Sequence, residues 1–236
     1  MKIANRGSFY LSVFLSKIIQ RPIIFWDTCA LLDILRIADR ENINAYDNYQ
    51  YILEKINNDE LISVTSELVL YEYNNHIQEI ESEFRRKQTS AQDIIKKYCA
   101  FQTDEHSANI LGSINSLDAI TTFVNFSEIL WSKTYILREQ KTYQQFAHFR
   151  TKHKFAPAHK KGEYKDCYIW GTCMKLANRK PWDVPVLFFT KNTDDYCDIN
   201  NKRDLDSRIS DDCNQNGIKV LLNSGSVRGE LINLGI

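Results

Sequence analysis

Residues 21–35 read RPIIFWDTCALLDIL, and this stretch decides the fold. Its apolar run IIFW at 23–26 is rich in β-branched and aromatic side chains, which predicts a strand buried on both faces of a parallel sheet. Asp27 ends the run, and Thr28 is predicted to cap a helix with an apolar face. Asp27 therefore stands at a strand's carboxyl end, where open α/β sheets place ligand crevices. A structural role for Asp27 as a helix cap is the alternative.

Strand and helix signals alternate along the rest of the chain. Further strands are predicted at 61–65, 184–190 and 217–222, and helices at 44–57, from Ser66 onward, from Asp166 onward and at 226–234. A short amphipathic helix is predicted within the first twenty residues, because Lys17 interrupts the apolar stretch that an export signal needs. This alternation predicts a central parallel sheet with helices on both faces, a three-layer α/β/α architecture.

Length and composition predict one domain over residues 1–236. Its sheet core comprises 21–76 and 162–223, and the almost continuously helical pattern at 77–150 is an elaboration of that core. The chain has 30 basic and 30 acidic residues, so any nucleic-acid surface must come from local clustering. Six cysteines without a CxxC pair favour a reducing cytoplasm. No segment approaches the roughly 20 apolar residues of a transmembrane helix.

Acidic residues follow several of the predicted strands. Glu67 and Glu72, in the helix after 61–65, are the two candidates for a functional acid. A carboxylate in the first turn of a helix interacts favourably with the helix dipole, so Glu67 has a sufficient structural role. Glu72 interrupts an apolar face, where a charge needs a partner, and it is therefore the favoured candidate. Asp166 begins a later helix, and the turn TKNTDDY at 190–196 follows the third strand. Two carboxylates about 4 Å apart repel by on the order of 4 kcal/mol at an effective dielectric near 20. Mg²⁺ or Mn²⁺ would offset this repulsion, because hard cations take oxygen ligands.

The most basic loop of the chain precedes Asp166. Residues 149–165 read FRTKHKFAPAHKKGEYK, with aromatic side chains between the cations. Its candidate nucleic-acid-binding residues are Lys152, His153, Lys154, His159, Lys160, Lys161 and Lys165. Cations neutralise phosphates and rings stack on unpaired bases, so the loop suits single-stranded nucleic acid. An ordinary solvated loop has a similar composition, and the position next to Asp166 favours the binding role.

The motifs IIFWDTCALLDIL, ISVTSELVLYEY, GEYKDCYIWGTC and VLFFTKNTDDY, in this order, resemble those of PIN-domain nucleases, closest to the larger bacterial members. The resemblance covers residues 21–76 and 162–222. It implies a parallel sheet flanked by helices, one or two Mg²⁺ or Mn²⁺ ions and hydrolysis of phosphodiester bonds, usually in RNA. Asp27, Glu72 and Asp166 match the first three family acids.

The fourth acid departs from the family pattern. Family members commonly have an acid, one further residue, and then Asp followed by an aromatic residue. Asp195 and Tyr196 match the closing Asp and aromatic pair, but Asn192 stands near the position of the first acid, and the turn is one residue longer than in the family. Thr190 matches a family hydroxyl position. The resemblance thus implies metal binding by Asp27, Glu72, Asp166, Asp194 and Asp195, catalysis by Asp27, Glu72, Asp166 and Asp195, and support from Thr28, Thr190 and Asn192.

The function expected from these residues is metal-dependent RNA hydrolysis by an endonuclease. Two alternatives stay open: a metal-dependent phosphatase using the same acids on a small ester, and an inactive RNA-binding or scaffold module, which the altered TKNTDDY turn favours. The sequence permits a homodimer without requiring one. The helical block at 77–150 is absent from the compact members of the family. The resemblance therefore does not imply an inhibitory protein partner for this chain.

Overall fold

A parallel sheet forms the centre of the computed structural model, which describes residues 5–18, 20–37, 43–101, 109–110, 113, 118–180 and 185–236. Its strands are β1 (Ser8–Phe9), β2 (Ile23–Trp26), β3 (Ile62–Ser66), β4 (Tyr135–Leu137), β5 (Val186–Phe189) and β6 (Ile218–Leu221). Their order is β1-β4-β3-β2-β5-β6, and every neighbouring pair is parallel. The predicted α/β fold class is confirmed.

Helices pack against the sheet. They are α1 (Leu11–Leu15), α2 (Thr28–Ile34), α3 (Ile43–Asn57), α4 (Glu67–Ala100), α5 (Ala119–Lys133), α6 (Lys141–Lys152), α7 (Tyr164–Arg179), α8 (Thr193–Tyr196), α9 (Ser207–Asn216) and α10 (Ser224–Asn233). None of these described helices is both long and apolar enough to cross a membrane.

Strand β2 lies at the centre, as its apolar run predicts. All four of its residues are buried, and Phe25 pairs in register with Val64 of β3 and Phe188 of β5. Strands β3, β5 and β6 lie within one residue or so of the predicted ranges where described, although residue 184 of the predicted third strand lies outside the described residues. Burial on both faces explains why β3 and β5 were predictable, whereas β6 is an edge strand with Lys219 exposed.

Two strands were not predicted. Strand β4 falls in the segment predicted to be helical, and β1 falls where the sequence predicts only a short helix, which the structure has as α1. Three apolar residues between polar ones are compatible with either a helix or a strand. The conformation of β4 therefore depends on its pairing with Ser66 of β3 and Ser8 of β1. Residues 102–108, 111–112 and 114–117 of that predicted helical segment lie outside the described residues.

Helix α4 is continuous for 34 residues, where the sequence suggests successive shorter helices. Ser66 is its N-cap, and the Ser66 hydroxyl accepts a 3.3 Å hydrogen bond from the amide of Val69. Because β2, β3 and β5 are parallel, the segments that follow them meet at one edge of the sheet. Helices α2, α4 and α8 therefore start next to one another at this edge.

Candidate active site

Asp27 lies at the centre of the carboxyl edge of the sheet and is only 2% exposed. Its Oδ1 accepts a 2.7 Å hydrogen bond from the amide of Thr28, which makes Asp27 the N-cap of α2. The prediction that Thr28 is the N-cap was therefore wrong, because the side chain of Asp27, one residue earlier, accepts the hydrogen bond of the first free amide of the helix. Capping uses one oxygen of Asp27 and leaves the other facing β5.

The end of β5 supports this second oxygen. The hydroxyl of Thr190 donates a 2.6 Å hydrogen bond to Oδ2 of Asp27, and the thiol of Cys29 donates to the same oxygen at 2.9 Å. Asn192 then caps α8: its Oδ1 accepts from the amide of Asp195 at 3.2 Å and its Nδ2 donates to Asp195 Oδ2 at 2.8 Å. Asn192 therefore orients the carboxylate of Asp195.

Glu72 comes to the site from α4. The hydroxyl of Thr28 donates a 2.6 Å hydrogen bond to Glu72 Oε2, and Lys165 Nζ lies 3.1 Å from Glu72 Oε1. Glu67 is placed elsewhere, where it accepts hydrogen bonds from the amide of Glu139 and the hydroxyl of Ser8. Of the two competing acids, Glu72 is the one that approaches Asp27.

Asp166 lies in the first turn of α7 and completes the wall of a cleft of about 210 Å³. This cleft is lined by Asp27, Thr28, Cys29, Leu32, Arg36, Glu72, His76, Asp166 and Asn192. The structure thus brings three of the predicted acids to one cleft. Asp195 does not line the cleft, although its charge raises the pKa of Asp166.

The electrostatics of the cleft reflect crowded negative charge. Burial, together with the charges of Asp27, Asp195 and Glu72, raises the pKa of Asp166 to about 8, and burial is the largest of these causes. Burial also raises the pKa of Asp27, while hydrogen bonds from Cys29, Thr190 and Thr28 oppose that rise. These carboxyl groups favour protonation until a cation compensates their charge.

Asp194, also predicted to bind metal, lies apart from the cleft. Its side chain is 60% exposed and forms ion pairs with Lys202 and, at 3.8 Å, with Lys160. These lysines hold the pKa of Asp194 below its ordinary value. Its neighbour Asp195 is 7% exposed and turns inward, so the two adjacent acids of the turn have different surroundings.

The basic loop contacts the cleft at its carboxyl-terminal end, through Lys165. Lys165 pairs with Glu72, and Lys160 lies near Asp194, as described above. The remaining exposed cations of this loop are Lys152, His153, Lys154 and Lys161. His159 is half-buried. The ring of Phe149, 53% exposed, lies 4.6 Å from that of His153.

The residues of the cleft fit a hard divalent cation by their chemistry. Their donors are mostly carboxylate and hydroxyl oxygens, and Asp195 Oδ1 is buried without a hydrogen-bond partner among the described residues. Within the described part of the chain, no three His, Cys, Asp or Glu side chains are already grouped closely enough to hold an ion. Since Mg²⁺ keeps several of its waters, contacts through water are compatible with this spacing.

Sequence reasoning missed three residues that line the cleft: Cys29, Arg36 and His76. His76 lies four residues after Glu72 on α4, and Arg36 lies four residues after Leu32. For His76, the i, i+4 spacing that places side chains on one face of a helix was a signal available in the sequence, whereas Arg36 lies beyond the end of α2 and had no such signal. Cys29 carried no comparable signal, because its hydrogen bonds reach Thr190 and Lys191, far away along the chain.

Comparison with known proteins identifies the family of this chain. No curated protein and no solved structure matched the chain. A family model described as PIN domain matches residues 24–196, a range that starts in β2 and ends with α8 and so includes Asp27, Glu72, Asp166 and Asp195. Because the match covers most of the chain, the protein belongs to the PIN-domain family.

Proposed function

We propose that this protein is a metal-dependent nuclease that hydrolyses phosphodiester bonds in RNA, as an endonuclease. PIN domains are generally nucleases and typically use divalent metal ions. The observation that carries the proposal is the convergence of Asp27, Glu72 and Asp166 on one cleft at the carboxyl edge of the sheet. Capping of α2 uses one oxygen of Asp27, but it does not explain why Glu72 and Asp166, the latter with a pKa of about 8, come from separate segments to the same cleft.

Asp27, Asp166 and Asp195 would hold one or two Mg²⁺ or Mn²⁺ ions, with Glu72 in contact directly or through water. When bound, such an ion lowers the pKa of a water ligand and offsets charge on a phosphate. Thr190 and Asn192 fix the orientation of Asp27 and Asp195 through the hydrogen bonds described above. Thr28 does the same for Glu72. These supporting groups would hold the acidic side chains ready for an ion.

The cations around the cleft would bind the substrate. Arg36 is half-buried and lines the cleft, where its guanidinium group can donate to a phosphate oxygen. Lys165 lies at the mouth of the cleft, more than half exposed. Along the basic loop, exposed lysines and the exposed ring of Phe149 suit the phosphates and bases of unpaired RNA.

A cleavage assay tests this proposal. Labelled single-stranded and double-stranded RNA and DNA are incubated with Mn²⁺ or with EDTA, using the natural protein, Asp27→Asn and Asp93→Asn. Asp93 is an exposed acid on α4 far from the cleft, so it is a matched control. We expect cleavage of single-stranded RNA with Mn²⁺ by the natural protein and the control, and none with EDTA or Asp27→Asn.

Other outcomes identify the alternatives. Hydrolysis of a soluble phosphate ester without polynucleotide cleavage would support a phosphatase. Equal RNA binding in Mn²⁺ and EDTA without cleavage would support an inactive binding module. A circular RNA, which has no ends, separates the two nuclease modes, since an endonuclease cuts it and an exonuclease does not.

We further propose that residues 1–236 act as a single nuclease domain in the cytoplasm. All six cysteines are free, which suits a reducing compartment. The core at 21–76 and 162–223 supplies the proposed catalytic residues, and the segment at 77–150 adds helices and β4 to it.

A further inference from the structure

A second cleft, of about 240 Å³, lies at the edge of the sheet opposite Asp27. Its walls include Arg21, just before β2, as well as Ile62 and Tyr135, which begin β3 and β4. Because β2, β3 and β4 are parallel, their first residues share one edge and their last residues share the other. This cleft is therefore separated from the acidic cleft by the length of the strands.

The charged residues of this amino-edge cleft are mostly basic. Arg6, Lys17, Arg21 and Lys133 line it together with one acid, Asp59. Four positive charges against one negative charge give a local excess of three in a chain whose formal net charge is zero. A concave surface with one predominant sign of charge focuses the electrostatic field and attracts ions of the opposite sign.

Asp59, the one acid that lines the cleft, binds both Arg6 and Arg21. Arg6 Nη2 lies 2.7 Å from Asp59 Oδ1, and Arg21 donates a hydrogen bond to the carbonyl oxygen of Asp59. Arg6 also donates a 3.1 Å hydrogen bond to the hydroxyl of Tyr135. Asp59 thus orients both guanidinium groups along the cleft, and each group keeps further N–H donors.

Beside the hydrogen bond from Arg6, the charge of Lys133 also contributes to lowering the pKa of Asp59. Neither Lys17 nor Lys133 forms an ion pair with a described acid, and Lys17 lies 4.2 Å from the centre of the Phe9 ring. Lys133 is in the last turn of α5, where the helix dipole favours a cation. That explanation covers one of the four cations, and it does not explain why cations from three separate segments converge here.

We propose that the amino-edge cleft binds an oligophosphate, meaning two or more linked phosphates, such as pyrophosphate or the phosphate chain of a nucleoside diphosphate. Guanidinium groups bind phosphate oxygens in pairs, and lysines add point charges. The excess of three positive charges is closer in magnitude to the negative charge of an oligophosphate than to that of a single phosphate. At about 240 Å³ the cleft is smaller than the roughly 300 Å³ at which typical small-molecule sites begin, so it admits phosphates rather than a whole nucleotide.

Thermal unfolding with pyrophosphate tests this proposal, which is independent of the proposed nuclease activity. The experiment uses the full chain in EDTA at constant ionic strength, since salt screens surface charges. We expect pyrophosphate to raise Tm in a saturable manner, because a ligand selective for the folded state stabilises it. Lys17→Gln and Lys133→Gln should each weaken the apparent affinity at least about fivefold.

The matched control is Lys97→Gln, which removes one exposed positive charge from α4, away from the cleft. It should bind pyrophosphate like the natural protein. Asp27→Asn should also bind it normally, so loss of RNA cleavage and loss of pyrophosphate binding are separable results. The two lysine variants are expected to fold, because neither side chain has an ion-pair partner among the described residues.

The choice of anion distinguishes the sources of the phosphate chain. Binding of ADP as tight as that of pyrophosphate, with weaker binding of AMP, would support the phosphate chain of a nucleotide. Tight binding of pyrophosphate with weak binding of ADP would support a free oligophosphate. The proposal is overturned by the absence of a Tm shift, by an equal shift with orthophosphate, or by tighter binding of an RNA that lacks terminal phosphates.

Discussion

The hydroxyl of Thr190 donates a 2.6 Å hydrogen bond to Oδ2 of Asp27, and this bond joins the ends of β2 and β5. The two strands are neighbours in register, with Trp26 opposite Phe189. Thr190 is fully buried and Asp27 nearly so. The neutral hydroxyl of Thr190 therefore fixes the orientation of the Asp27 carboxylate, on which the proposed metal binding depends.

We expect Thr190→Val to lower the free energy of unfolding by about 1–3 kcal/mol, because it leaves a buried carboxylate without one of its donors. Valine has nearly the shape of threonine, so the change isolates the hydroxyl. Urea unfolding without metal measures the effect. Thr190→Ser keeps the donor and should lose less stability. Equal stability of the valine variant and the natural protein would show that the hydrogen bond contributes nothing.

Mn²⁺ should raise the Tm of the natural protein. At an ion concentration one hundred times Kd the stabilisation is about 2.7 kcal/mol. Asp27→Asn should abolish most of this increase, and its metal-free form should be equally or more stable, since one repelling charge is gone. Differential scanning fluorimetry with Asp93→Asn as the control makes the comparison. An Mn²⁺ response unchanged in Asp27→Asn would contradict the assignment of Asp27.

The adjacent acids Asp194 and Asp195 should differ strongly in their effects on cleavage. Asp195→Asn should reduce the rate on the order of 100-fold, because Asp195 is buried and oriented by Asn192. Asp194→Asn should change it less than about threefold, since exposed ion pairs contribute little. Initial rates at saturating Mn²⁺ decide between the two acids, and the reverse ranking would reassign the fourth acid to Asp194.

The pKa of Asp166 predicts how the metal-free protein responds to pH. Between its ordinary value of 3.8 and its raised value of about 8, the folded state keeps a proton that the unfolded chain has released. Stability should therefore fall as pH rises through this range. Urea midpoints in EDTA from pH 5 to pH 8 should decline in the natural protein more steeply than in Asp166→Asn. Parallel pH profiles would show that Asp166 is not the cause.

The basic loop should set the salt dependence of RNA binding. Replacing Lys152, Lys154 and Lys161 together by Gln should weaken binding and lower the slope of log K against log salt by about 2, if each contacts one phosphate of a single strand. Filter binding in Ca²⁺, over a range of salt concentrations, measures the slope. Lys96→Gln with Lys97→Gln, on exposed positions of α4, is the control. An identical loss in that control would indicate a nonspecific charge effect.

The sheet was predictable where strands are buried on both faces. Residues 23–26 and 186–189 are continuous apolar runs, and such runs have few alternatives to a central strand. Strands β1 and β4 are short and lie at the outer end of the sheet, so pairing with neighbours determines them. Local sequence carries too little information about these partners, since Ile136 pairs with Ser8, 128 residues away, and Leu137 pairs with Ser66, 71 residues away.

The amino-acid sequence was sufficient to predict the central strands β2, β3 and β5 and the order of the acidic residues along the chain, because such strands follow from the local hydrophobic pattern. Contacts between distant segments were needed to establish that Asp195 faces inward while Asp194 faces solvent, and that Arg36 reaches the cleft. The same holds for Arg6, Arg21 and Lys133, which meet at the opposite edge of the sheet. These features depend on side-chain direction and on contacts between distant segments, which are fixed only when the helices pack against the sheet.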